Sequence, residues 1–183
     1  MKKRTHALVV GGTGMLADVC LWLTNNGYHV SVIGRNGKKH QRLNERAPYP
    51  ERITNLVVDY TDYESVKNQL RQTMNKYGPI NLVVSWSQSN DNLEVMSQLI
   101  ATETEQWLLY HVKGSRRYFQ QETIHLPPNC LYREVYLGFV LEGNHSRWLT
   151  HEEISQGVIR SLIEDQKKAI VGTLEPYEKR PSY

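Results

Sequence analysis

The chain has 183 residues, of which 39% are hydrophobic and 22% charged: enough to bury one core, with neither the length nor a linker for two domains. A net charge of +3, with Lys and Arg mostly scattered, is mild for a nucleic-acid binder, and no run approaches the roughly 20 apolar residues of a membrane span. The opening "MKKR" looks like the charged start of a signal peptide, but only "ALVV" precedes Gly11, and the two cysteines, Cys20 and Cys130, read as small buried hydrophobes outside any metal-ligand spacing. No metal is expected, and a reducing cytoplasm fits this cysteine usage.

Taken in chain order, "HALVV" (6–10) and "HVSVI" (29–33) are short β-branched runs that predict strands. Between them Leu16, Val19, Cys20 and Leu23 form one apolar helical stripe that Gly27 closes. "ITNLVV" (53–58) and "INLVVS" (80–85) predict the third and fourth strands. The helix joining them, 63–78, carries Val66, Leu70 and Met74, with Thr61 or Asp62 as cap and Gly78-Pro79 as stop. "NLEVMSQLIA" (92–101) predicts another helix and "QWLLYHV" (106–112) a fifth strand. Alternating strands and helices imply a doubly wound parallel sheet with right-handed crossovers: a Rossmann-like α/β fold of three layers, one domain over 1–183.

Past residue 113 the rhythm changes. "KGSRRYFQQETIHLPPN" (113–129) has no period, and Pro127-Pro128 forbids a long helix through its end. "CLYREVYLGFVLEG" (130–143) reads as a sixth strand bent at Gly138, and "NHSRW" (144–148) as a loop. Thr150 and Glu153 form a capping box for a helix that buries Ile154, Val158 and Leu162. "KAIVGT" (168–173) predicts a last strand, and the tail 174–183 is irregular.

The segment "ALVVGGTGMLADVC" raises the functional question. A buried strand runs into a glycine cluster and then a helix, the arrangement in which a backbone turns tightly and approaches a pyrophosphate at a helix N-terminus. The spacing fits Gly12-x-Gly14-x-x-Ala17 and also Gly11-x-x-Gly14-x-x-Ala17, in the strand–turn–helix context the dinucleotide fingerprint requires. The turn residues Gly11, Gly12, Thr13, Gly14, Met15 and Leu16 are therefore candidate cofactor contacts. Where an NAD site places a carboxylate, this chain has "GRNGKKH": Arg35, Asn36 and Lys38, with no acidic residue before Glu45. A guanidinium there matches the 2′-phosphate of NADP, so NADPH is expected over NADH, although Lys38 and Lys39 also fit a solvated helix face.

Together "VVGGTGMLA", "VIGRN" and "VVDYTD" resemble the short-chain dehydrogenase/reductase family, most closely over residues 6–85. The resemblance implies that Asp59 and Tyr60 meet the adenine, and that hydroxyls of "SWSQS", Ser85 and Ser87, lie near the nicotinamide ribose. It also implies a catalytic serine after the fifth strand, which Ser115 matches in position, and a Tyr-x-x-x-Lys pair on the next helix, which is missing. The only such spacing, Tyr63 to Lys67, opens the helix after the third strand, on the adenine side. His111, Lys113 and Ser115 cluster at the C-terminal end of a strand, where open α/β sheets place their sites, and stand as catalytic candidates. The expected activity is an NADP-dependent oxidoreductase with an unusual proton donor, acting on a small carbonyl or alcohol; a non-turnover NADP(H)-binding sensor or partner-binding protein remains the alternative. Homo-oligomer formation is compatible with the family, and neither nucleic acid nor membrane is an expected partner.

Overall fold

The computed structural model describes residues 5–182, so the "MKKR" segment lies outside the described residues. The apolar runs form strands β1 (His6–Val10), β2 (His29–Gly34), β3 (Ile53–Val57), β4 (Ile80–Trp86) and β5 (Trp107–Gly114). With β6 (Cys130–Leu137) and β9 (Lys168–Val171) they make one parallel sheet in the order β3-β2-β1-β4-β5-β6-β9. Every residue of β1 and β2 is buried, as continuous apolar strands require when helices cover both faces. Strand order reverses between β1 and β4, and a crevice opens at that switch point beyond the strands' carboxyl ends.

Strand alternation divides the core in two. Ala7 and Val9 pack with α1 (Ala17–Asn25) and with Leu43 of α2 (Gly37–Arg46). Leu8 and Val10 pack with Val66 and Leu70 of α3 (Tyr63–Tyr77) and with Leu93 and Met96 of α4 (Asn90–Glu103). Side-chain caps start α2, α3 and α4: Asn36 accepts from the Lys38 and Lys39 amides, Asp62 from Ser65, and Ser89 from Asp91.

Three points in the second half bear on the sequence expectations, the first and third as departures. First, 130–143 is not one bent strand and 144–148 is not a loop. The sheet strand β6 stops at Leu137, and β7 (Phe139–Glu142) pairs antiparallel with β8 (His145–Trp148) across a two-residue Gly143-Asn144 turn. The break falls at Gly138 because any Cβ there would sit 2.1 Å from the Thr173 carbonyl oxygen. Second, as the aperiodic 113–129 and Pro127-Pro128 predict, no long helix follows β5: there is a single turn, α5 (Ser115–Tyr118), and 119–129 is irregular.

Third, α6 (His151–Glu164) lies on the α1 face, where Ile154, Val158 and Ile159 join the first core cluster and Leu162 is only partly buried. The chain moves from β6 to β9 in the same direction as from β4 to β5, so a right-handed connection would have put α6 beside α4. This crossover therefore has the rarer hand. Its consequence is positional: the N-terminus of α6 reaches the glycine turn, where the Ser155 hydroxyl donates to the Met15 carbonyl at 2.8 Å. The Thr150–Glu153 capping box forms as expected, and Arg147 hydrogen bonds hold the Glu153 carboxyl down at about 2. Cys20 is buried, whereas Cys130 is half-buried at the start of β6; burial pushes its thiol up to about 12. The tail contains one 3-10 turn, Tyr177–Lys179.

Candidate functional site

The glycines after β1 have different tasks. Gly11 takes φ +83°, a left-handed conformation that lets the chain leave the strand sharply. A Cβ on Gly12 would sit 2.6 Å from Cys20 Sγ and 2.9 Å from Val9 Cγ1, so this glycine lets α1 close on the sheet. A Cβ on Gly14 would meet no atom within 4 Å, because Gly14 faces an open cleft.

That cleft has a volume of about 1060 Å³ and runs from the glycine turn to the end of β2 and the start of α2. Of the expected contacts, Gly11, Thr13, Gly14, Met15, Arg35, Asn36, Lys38 and Tyr60 line it together. Three cations, Arg35, Lys38 and Lys39, face it and no carboxylate does. The Arg35 guanidinium lies 5.7 Å from the Tyr60 ring centroid. The Asn36 side chain, expected to contact cofactor, is engaged as the cap of α2. Strand β2 ends in glycine because a Cβ at Gly34 would come within 3.0 Å of Thr13 Oγ1 and 3.1 Å of His40 Nε2. His40 itself donates through Nε2 to the Gly34 carbonyl at 3.0 Å, fixing the turn that carries Arg35.

Other expected contacts lie off the cleft. Gly12 and Leu16 are buried in the packing between α1 and the sheet. Asp59 is on an exposed turn, where the Thr61 amide and hydroxyl hold its carboxyl below the usual range, with a smaller contribution from Arg35. Ser85 is fully buried and shares the face of Val83 and His111, away from the cleft. Ser87 is buried too, its hydroxyl donating to the Ser89 carbonyl at 2.8 Å. Trp86, between these serines, points to the opposite side and lines the cleft.

The three catalytic candidates do not converge. His111 and Lys113 alternate with Tyr110 and Val112 along β5 and so lie on the α3/α4 side, inside a polar network. His111 Nδ1 and the Tyr132 hydroxyl are 2.8 Å apart, while Lys113 Nζ donates to Glu134 at 2.7 Å and is 3.7 Å from Glu122. Arg117 donates to Glu122 at 2.6 Å and to Asn90 at 2.7 Å. Burial first, then the Lys113 and Arg117 charges, lower His111 to about 3, so it is neutral at pH 7. These residues are held by hydrogen bonds and ion pairs to one another, and a structural role accounts for them. Ser115 instead turns toward a second, smaller cavity, which shares Met15, Trp86 and His151 with the cleft. His151 was not anticipated, and no signal in the sequence pointed to it: only the unusual hand of the last crossover brings the start of α6 here.

No protein-family model and no curated protein sequence matches the chain. Solved structures do. A short-chain dehydrogenase from Bacillus anthracis aligns with a TM-score of 0.73 at 12% identity, over 98% of this chain and 99% of that one. An actinorhodin polyketide ketoreductase solved with NADPH aligns with a TM-score of 0.72 at 11% identity, over 95% and 98% of the two chains. A β-ketoacyl-[ACP] reductase from Bacteroides thetaiotaomicron gives 0.67 at 13% identity, over 93% and 97%. By strand order, layering and extent of overlap, the chain has the Rossmann-like fold of the short-chain dehydrogenases/reductases.

Proposed function

We propose that the chain binds NADP(H) in the glycine-turn cleft and is an oxidoreductase of the short-chain dehydrogenase/reductase type. The observation that carries this is the combination of an open backbone surface at Gly14 with a carboxylate-free cluster of Arg35, Lys38 and Lys39 in one cleft. A backbone without side-chain atoms suits a pyrophosphate, and the cations suit a 2′-phosphate. A bound nicotinamide dinucleotide would supply hydride chemistry; the chain's own residues bind and orient it, with Trp86 and His151 at the end of the cleft remote from Arg35. Calorimetry tests the cofactor assignment. NADPH is expected to bind about tenfold or more tighter than NADH, and Arg35→Ala to remove that difference by losing roughly 1.5–3 kcal/mol for NADPH alone. Equal affinities for the two cofactors in the wild-type chain would defeat it.

The alternative, a cofactor-binding protein without turnover, draws support from the one-turn α5 and from the fate of the only Tyr-x-x-x-Lys spacing. Tyr63 and Lys67 sit at the start of α3, Tyr63 exposed and Lys67 paired with Glu64 at 2.9 Å. Neither lines the cleft or the smaller cavity. Tyr63→Phe with Lys67→Ala is therefore expected to keep NADPH affinity, and turnover of any carbonyl found to react, within about threefold. A collapse of turnover at unchanged affinity and thermal stability would put the pair in the chemistry after all.

A further inference from the structure

The single turn α5 carries Arg117, whose side chain is only 14% exposed. Its Nε and Nη2 donate to the two carboxylate oxygens of Glu122 at 2.6 and 2.7 Å, a bidentate ion pair. The guanidinium also reaches the connection between β4 and α4, where Nη1 donates to the Ser87 carbonyl at 2.9 Å and Nη2 to Asn90 Oδ1 at 2.7 Å. These two acceptors bracket the loop that leaves β4 immediately after Trp86. Inside it the Ser87 hydroxyl donates to the Ser89 carbonyl, and Ser89 caps α4. A partly buried guanidinium is stable only with its donors met, so Arg117 and this loop fix one another. Trp86 is the neighbour that gains a fixed position. A Cβ on Gly11 would lie 3.3 Å from Trp86 Cβ, and one on Gly114 would lie 3.8 Å from its Cη2. The indole therefore extends from the glycine turn to the end of β5, and it forms wall in both the cleft and the smaller cavity.

We infer that Arg117 is a positioning residue for the cofactor cleft: it fixes the chain where it leaves β4 and so holds the Trp86 indole as the wall against which the nicotinamide half of the dinucleotide rests. Strand pairing with Val112 secures Trp86 from one side, and the Arg117 bond to Ser87 secures the next residue. A large flat side chain favours a ring stacked on it only if it is already in place when the ring arrives. Arg117 touches neither the glycine turn nor Arg35, so its influence is confined to the Trp86 end of the cleft. The inference rests on the dinucleotide reading, and it divides the ligand: one half depends on Arg117 and the other does not.

The test is calorimetry on the full chain with NADPH and with adenosine 2′,5′-bisphosphate, which keeps the adenine, ribose and 2′-phosphate and has no nicotinamide. Arg117→Ala is expected to weaken NADPH about tenfold and to leave the bisphosphate within about twofold. Trp86→Ala should do the same. The double variant should lose no more than either single one, because Arg117 acts through Trp86, whereas two independent effects would add. Arg117→Lys covers the case in which the alanine variant does not fold. It keeps a charge beside Glu122, but one ammonium cannot serve that carboxylate and both loop acceptors, so it too should weaken NADPH selectively. Equal losses for the two ligands, additive losses in the double variant, or Arg117 variants that bind NADPH as the wild type does would each overturn the inference. A wild-type chain that binds NADPH while the Arg117 variants match it defeats this inference alone; a wild-type chain that binds neither ligand defeats the dinucleotide reading and this inference with it.

Discussion

Lowering the pH from 7 to 5 should cost the fold about 2 kcal/mol through His111 alone. His111 is fully buried beside Lys113 and Arg117, and its folded value of about 3 lies far below the ordinary 6.5. The unfolded chain takes up a proton there near pH 6.5 while the folded chain resists. Stability is therefore fully present above pH 6.5 and drains away as pH falls toward 3, at up to about 1.4 kcal/mol per unit. His6 adds in the same direction, since burial lowers it too; its ring contacts the Ser31 hydroxyl at 2.8 Å and the Gly78 carbonyl at 2.8 Å. The window from pH 7 to 5 isolates these histidines, because ordinary carboxylates titrate below it. Urea unfolding at pH 7, 6 and 5 checks the expectation against His111→Gln. Whatever the variant loses at pH 7, its stability should change by about 2 kcal/mol less over this range. Identical pH slopes in the two proteins would mean that His111 takes up its proton in the folded state.

The second large effect is expected at Gly14. A valine there meets no protein atom at its Cβ, so unfolding free energy should stay within about 1 kcal/mol of wild type. The same side chain would fill the space over the turn, and NADPH affinity should fall by about a hundredfold or more. Gly12 supplies the contrast. Gly12→Ala would drive a methyl against Cys20 Sγ and Val9 Cγ1 and is expected to cost about 1–3 kcal/mol of stability. Thermal unfolding and calorimetry on the two variants separate the cradle from the packing glycine. A Gly14→Val chain that binds NADPH normally would leave the glycine turn a purely structural feature.

Legibility of the fold in the sequence follows the locality of its causes. Strands β1 to β5 and the helices between them could be read because each depends on its own periodicity and punctuation. The β7–β8 hairpin had a signal too: Gly143-Asn144 between "FVLE" and "HSRW" is a two-residue loop of hairpin type, obscured because His145 and Arg147 make β8 look like polar loop. The face chosen by α6 had none, since Ile154, Val158 and Ile159 would suit either side of the sheet. The site divides in the same way. The turn residues and Arg35 were legible because fingerprint spacing is local. Strand alternation and local backbone geometry put Ser85, His111 and Lys113 on the far face, and His151 is joined to the cleft only by a long-range crossover.

The most direct measurement is a crystal structure of the chain grown with NADPH. The pyrophosphate should lie over the Gly11–Gly14 turn, the 2′-phosphate within hydrogen-bond reach of Arg35, and the nicotinamide at the Trp86 and His151 end. A dinucleotide bound elsewhere, or a cleft left empty at saturating NADPH, would contradict the assignment of this cleft.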